Sequence, residues 1–393
     1  MIRRSSLLIA LACLAGCAVF APPTPTPAPT PTSFPRARTE SPGYGFEAYL
    51  WWKPEIATRD LGLIREAGFG WVKQTFAWRD IELQKGQYDW SRADDVVFLA
   101  GHFGLKLLAR LDRDPHWDRA YIDDGSGRIA SGPPRDLRNF IDFCGVMAAR
   151  YRGKVAAYQV WNEPNLAREW GGRAPDPVAY VDMLRGCYIA IKQADPDALV
   201  ISAGLAPTGN GPPEAMPDDQ FLIAMYEAGA APYFDLLGLH APGFRAPPEA
   251  SPDEVARSSE WGGHRFFAFR RVEDMRDIMA RYGDAHKQVA ILEFGWTTDR
   301  VNPSYAWFAI DENLKADYMV RAYRFAREHW RPWIGPMIAL SLPQFDWTPD
   351  NEQYWWAVID PSYPTTITRP AYDALKAMPK ETTENRQQIT DNR

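Results

Sequence analysis

Cysteine is scarce. The 393-residue chain has four, and two of them, Cys13 and Cys17, sit in an N-terminal leader. A small disulfide-stapled scaffold is therefore excluded. The other two, Cys144 and Cys187, fall on predicted helices among apolar neighbours. Buried free thiols are the first expectation for them, one disulfide between neighbouring helices the second, and a catalytic pair is not indicated. Basic charge is also short: 44 Lys and Arg against 50 Asp and Glu leave a net charge of −6 and a pI near 5.6. That argues against a nucleic-acid partner, which needs a basic face. No glycine loop fit to cradle phosphate is present, so no cofactor is expected. Asp112-Arg113-Asp114-Pro115-His116 lacks zinc-site spacing and reads as a solvated loop, so no metal is expected either.

The ends of the chain set its expected location. Arg3 and Arg4 precede an apolar stretch from Leu7 to Leu14, the pattern of an exported protein and too short to span a bilayer as a mature helix. Leu14-Ala15-Gly16-Cys17 resembles the lipobox of bacterial lipoproteins, which implies a lipid anchor on Cys17 and a bacterial cell-surface or membrane-anchored protein; an ordinary cleaved signal peptide is the alternative. Residues 18–36 are rich in proline and threonine, a composition that favours an extended polyproline II tether, whose Pro22 to Pro35 stretch would reach roughly 40 Å. Residues 380–393 are polar and expected to be disordered. Between them, residues 37–379 are enough for one large domain.

Along that domain short apolar runs alternate with amphipathic stretches, the signature of βα units around a parallel sheet. Strands are expected at Tyr44–Leu50, Phe69–Phe76, Leu105–Leu111, Ala156–Val160, Leu199–Ala203, Leu236–His240, Val289–Leu292 and Met337–Leu342. Helical periodicity marks Glu55–Ala67, Asp136–Tyr151, Pro177–Ala194, Phe221–Ala228, Phe267–Arg281, Asn313–Trp330 and Ala371–Met378. The predicted fold is α/β, a single TIM (β/α)8 barrel, whose chemistry sits at the C-terminal strand ends.

Two glutamates fall there. Trp161-Asn162-Glu163-Pro164-Asn165 follows the fourth strand and Glu293-Phe294-Gly295-Trp296 the seventh. Sugar hydrolysis needs such a pair, one carboxyl to protonate the leaving oxygen and one carboxylate facing the anomeric carbon. Sixteen tryptophans, in a chain with 13% aromatic residues, add surfaces on which pyranose rings can lie, core packing being the other use of the same side chains.

On Asn162-Glu163-Pro164, on Glu293 with Gly295, on the run Phe76 to Glu82 followed by Gly86 to Trp90, and on Arg369-Pro370-Ala371-Tyr372, the chain resembles the retaining glycoside hydrolases of clan A. This is the (β/α)8 group that includes cellulases, mannanases and β-xylosidases, and the resemblance covers about Gly43 to Met378. It implies Glu163 as acid/base, Glu293 as nucleophile and Asn162 as the ligand of the sugar 2-hydroxyl. It also suggests a substrate-side role for His240, although no tyrosine follows closely. Lys73 stands where relatives carry an arginine, and either Lys73 or Arg110 would help ionise Glu293. Trp296 and Trp347 are expected as platforms under the sugar, with Trp51, Trp117 and Trp170 either extending the cleft or packing. The implied protein is a monomer acting on polysaccharide or oligosaccharide, with a glycan-binding barrel that cleaves nothing as the other class.

Overall fold

The computed structural model describes residues 39–119 and 132–380. Cys17, the leader, the proline-threonine tether and the tail after Lys380 lie outside the described residues. Eight parallel strands close into a barrel in the order β1-β8-β7-β6-β5-β4-β3-β2. They are β1 Gly43–Glu47, β2 Trp71–Ala77, β3 Lys106–Asp112, β4 Val155–Val160, β5 Leu199–Ile201, β6 Leu236–Pro242, β7 Gln288–Gly295 and β8 Ile334–Ala339. The helices that follow them in turn are α1 Pro54–Glu66, α2 Ser91–His102, α3 Leu137–Arg150, α4 Pro177–Ala194, α5 Asp218–Glu227, α6 Arg271–Arg281, α7 Glu312–His329 and α8 Pro370–Ala377. The expected TIM barrel is the fold observed.

Local chemistry starts several of these helices. Asp176 accepts hydrogen bonds from the Val178 and Ala179 amides, with Pro177 in the first turn of α4, and Asp136 caps α3 in the same way. The two helices pack side by side because Gly186 presents no side chain: a Cβ there would stand 2.1 Å from Ile141 Cδ1. This close approach sets the Cα atoms of Cys144 and Cys187 5.4 Å apart, and the two form a disulfide. The free thiols first expected are thus corrected, since helix contact is not visible in the spacing of the cysteines.

Strand β8 begins earlier than expected and contains Pro336, a residue that argues against an interior strand. It is accommodated because the register between β8 and β7 shifts between Ile334 and Met337. Inside the barrel the lower part is apolar, built from Trp71, Leu108, Ala157, Leu199, Ile201, Leu236, Ala290, Leu292 and Ile338. One period further along each strand the interior changes character. Lys73 follows Trp71, Arg110 follows Leu108 and Gln159 follows Ala157 by two residues, and all three are buried. No described helix is long and apolar enough to cross a membrane.

Candidate active site

The polar layer opens at the C-terminal end of the barrel into a cleft of about 720 Å³. Glu163 and Glu293 both line it, with Asn162, His240, Arg110 and Trp347. Glu163, His240 and Glu293 each offer one polar atom such that the three lie within 4.8 Å of one another.

Glu293 owes its position to a bulge. Leu239 pairs with Ile291 and His240 with Glu293, so Leu292 is one extra residue on β7. A bulge re-aims the side chain that follows it, and here it sets Glu293 directly opposite His240. The carbonyl of Leu292 accepts from Lys73 Nζ at 3.1 Å, and the same ammonium reaches Glu293 Oε1 at 2.7 Å. Arg110 Nη1 adds a second cation at 3.4 Å from that oxygen, and His240 Nδ1 stands 3.6 Å from Oε2. Burial pushes the Glu293 carboxyl up, but the charges of His240, Lys73 and Arg110 outweigh it and hold the group below the usual glutamate range. Glu47, at the end of β1, shares Lys73 at 3.2 Å, and burial pushes its pKa up.

Glu163 stands on strained backbone. Trp161 (φ 70°) and Glu163 (φ 39°) both occupy left-handed conformations, which cost about 1–3 kcal/mol each and persist only where the surroundings enforce them. They are enforced here. Trp161 Nε1 donates to the carbonyl of Glu169 and the Glu163 amide to the carbonyl of Gly204. Asn165 bridges to the next loop through Ala206 and Met216. His240 Nδ1 meets Glu163 Oε1 at 2.9 Å, and Arg168 Nη2 meets Oε2 at 2.9 Å. Burial raises the Glu163 pKa, yet His240 and Arg168 together take it well below the usual range. Both oxygens of Glu163 are thus engaged, and its partners favour the carboxylate form. Gly204 seats His240, because a Cβ there would lie 2.2 Å from the imidazole.

The other expected residues divide. Asn162 Oδ1 accepts from Arg110 at 3.2 Å, so that amide is fixed beside both glutamates. Trp347 lines the cleft, edge-on to Tyr49 with centroids 4.7 Å apart. Trp296 does not line it. It is fully buried, packs on Phe269 and Tyr318 and donates to the Ala246 carbonyl, which corrects its reading as a sugar platform. The backbone of Gly243, where a Cβ would stand 1.8 Å from the Trp296 ring, closes over it. Trp51, Trp117 and Trp170 also pack: against Phe76, Trp78 and Trp161 respectively. The loops after β6 and β8 line the cleft, through Phe244 from the first and Gln344, Trp347, Glu352 and Trp356 from the second.

Sequence reasoning missed Glu47, Arg168 and Glu169. Glu47 carries a recoverable signal, an acidic residue closing the first apolar strand; the other two lie in the Trp161–Trp170 loop with no distinguishing pattern. Glu169 lines the cleft, and burial, with the charge of Glu163, pushes its pKa up to about 7.

The glycoside hydrolase family 42 model, described as beta-galactosidase, matches residues 46–110. That segment includes Glu47, Lys73 and Arg110 but neither Glu163 nor Glu293. Beta-galactosidase BgaH of Haloferax lucentense is 34% identical over 88 residues, which are 22% of this chain and 13% of that protein. Among solved structures, a family 39 glycoside hydrolase from Bacteroides cellulosilyticus superposes with a TM-score of 0.56 at 20% identity, over 84% of this chain and 62% of that one. A β-xylosidase from Caulobacter crescentus gives 0.57 at 18% identity, over 87% and 72%. Xylanase 10B of Thermotoga maritima gives 0.53 at 14% identity, over 90% and 97%. The chain shares with these glycoside hydrolases the closed (β/α)8 barrel, and it spans less than two thirds of the first of them.

Proposed function

We propose that the protein is a retaining β-glycosidase or glycanase, with Glu293 as nucleophile and Glu163 as acid/base. The observation that carries this reading is the pair of carboxylates at the ends of β4 and β7, with facing polar atoms within 4.8 Å. Retaining enzymes hold the two carboxyl groups about 5–5.5 Å apart, inverting ones farther, to admit a water. Lys73 and Arg110 keep Glu293 ionised for attack on the anomeric carbon. Asn162, its carbonyl held by Arg110, offers its amide to the sugar 2-hydroxyl, and Trp347 a face for the ring. Glu163 donates a proton to the leaving oxygen and later takes one from the attacking water.

The ionised, doubly engaged state of Glu163 favours a second reading, a barrel that binds glycan without cleaving it. Hydrolysis of aryl β-glycosides and β-linked glycans, with product anomers followed by NMR, separates the two. Release of β-anomer that disappears in Glu293→Ala is expected; binding without turnover would favour the lectin, and inverted product would refute the nucleophile assignment. The sequence of the leader supports an exported lipoprotein anchored at Cys17, acting as a monomer on extracellular polysaccharide or oligosaccharide. Cys17→Ala is expected to release it from the membrane fraction.

A further inference from the structure

Glu163 has two partners of different kinds. His240 is buried in the barrel wall with its ring seated on Gly204. Arg168 has a side chain 67% exposed and rides on the single turn Ala167–Glu169 at the edge of the cleft. A guanidinium at hydrogen-bond distance favours the carboxylate form, so Arg168, acting beside the fixed His240, opposes protonation of Glu163 until it leaves or its charge is satisfied elsewhere. A neutral sugar hydroxyl competes poorly with a carboxylate for a guanidinium, whereas a second anion competes well and can be gripped by two parallel bonds. Glu169 lies close by, but with its carboxyl pushed up to about 7 it is neutral at mildly acidic pH and is no strong rival. Arg113, held in a left-handed conformation (φ 63°) at the end of β3, lines the same cleft and meets Asp112 only at 3.8 Å.

We infer that the substrate is an acidic glycan whose anion, a uronate carboxylate or a sulfate ester, lies on the leaving side of the scissile bond and draws Arg168 off Glu163. The inference rests on the acid/base reading of Glu163. Once Arg168 has passed to the substrate anion, Glu163 takes a proton from solvent. It gives that proton to the leaving oxygen as the anomeric carbon bonds to Glu293 and the glycosidic C–O bond breaks. Water then attacks the anomeric carbon, its proton returns to Glu163 and Glu293 leaves as carboxylate. Arg168 thus makes an anionic leaving group the condition for an available proton, and serves as a specificity residue.

The test compares β-linked disaccharides with a xylosyl, galactosyl or glucosyl donor and one of three leaving sugars: glucose, glucuronate or glucose 6-sulfate. The 4-nitrophenyl glycosides of the same donors, whose leaving group needs little protonation, report the glycosidase reading by itself. In the wild type, kcat/KM is expected to be at least about tenfold higher with an anionic leaving sugar than with glucose, and the glucuronate and sulfate arms tell the two anions apart. In Arg168→Gln the ratio is expected to fall to about one. The groups facing Glu163 and Arg168 are His240, Glu293, Glu169 and Tyr305, with Arg110 behind Glu169 and Glu293. Loss of Arg168 leaves them in place, so the alkaline limb of the pH profile on the neutral disaccharide moves to higher pH. Equal rates on charged and neutral disaccharides, or a preference that survives in Arg168→Gln, would overturn the inference while nitrophenyl turnover kept the enzyme reading intact. Absence of turnover on every substrate would remove both.

Discussion

Glu293 and Glu163 share one cleft and one histidine, yet their charges are held in opposite ways. The cations on Glu293 belong to the wall: Lys73 is fully buried on β2, and Arg110 is buried on β3. The second cation on Glu163 belongs to the rim, on an exposed arm. A buried lysine shared by Glu47, Glu293 and the Leu292 carbonyl has no freedom to withdraw, so the charge of Glu293 is a fixed property of the barrel. Arg168 stands on an exposed arm, so on the proposed reading the charge of Glu163 is adjustable. The proposed roles, a nucleophile that must stay ionised and an acid/base that must change state, need this division.

The largest effect expected is at the fixed carboxylate. Glu293→Ala should lower turnover by more than about 10⁴-fold on every substrate, measured as steady-state kcat. Glu163→Gln should sharpen the contrast: about 10²–10⁴-fold on glycans, whose leaving oxygen needs a proton, and far less for the first step on nitrophenyl glycosides, read as a burst. Trp296→Ala should cost about 3–5 kcal/mol of stability in urea titration, as a buried aromatic does. Trp347→Ala should raise KM and leave the midpoint in place. Equal outcomes for the two tryptophans would break the distinction between packing and platform.

Lys73→Met tests the wall more finely. With that charge gone, the pKa of Glu293 rises and the acid limb of the kcat/KM profile should move upward by about one pH unit or more; the alkaline limb should stay, the reverse of Arg168→Gln. At Glu169 the effect falls on stability and not on rate. Its folded pKa of about 7 exceeds the unfolded value of about 4.3, so its contribution to stability is complete below the unfolded value and is lost as pH rises through the folded one. The Tm advantage of Glu169→Gln over wild type should therefore grow between about pH 4.3 and 7 and then level off.

Much of the barrel was legible because burial imposes a period. Val155–Val160 and Gln288–Gly295 are apolar runs that an interior strand requires, and turns with glycine and aspartate caps punctuate the helices between them. Boundaries failed where tertiary contact decided them. Pro336 obscured the start of β8, which the shifted register against β7 permits, and Ala241 and Pro242 continue β6 past its expected end at His240.

By itself the sequence determined which side chains could do chemistry: two glutamates at strand ends, an asparagine beside one of them, a lysine and an arginine one strand period above apolar residues. Composition and alternation are local properties, and the chain carries them wherever it goes. The tertiary structure decided who faces whom. A one-residue bulge at Leu292 turned Glu293 toward His240, Gly186 let two helices close until Cys144 and Cys187 joined, and Gly243 shut Trp296 away from the cleft. A rim loop laid Arg168 on Glu163. Each depends on distances between segments far apart in the chain, which packing fixes and no local pattern encodes.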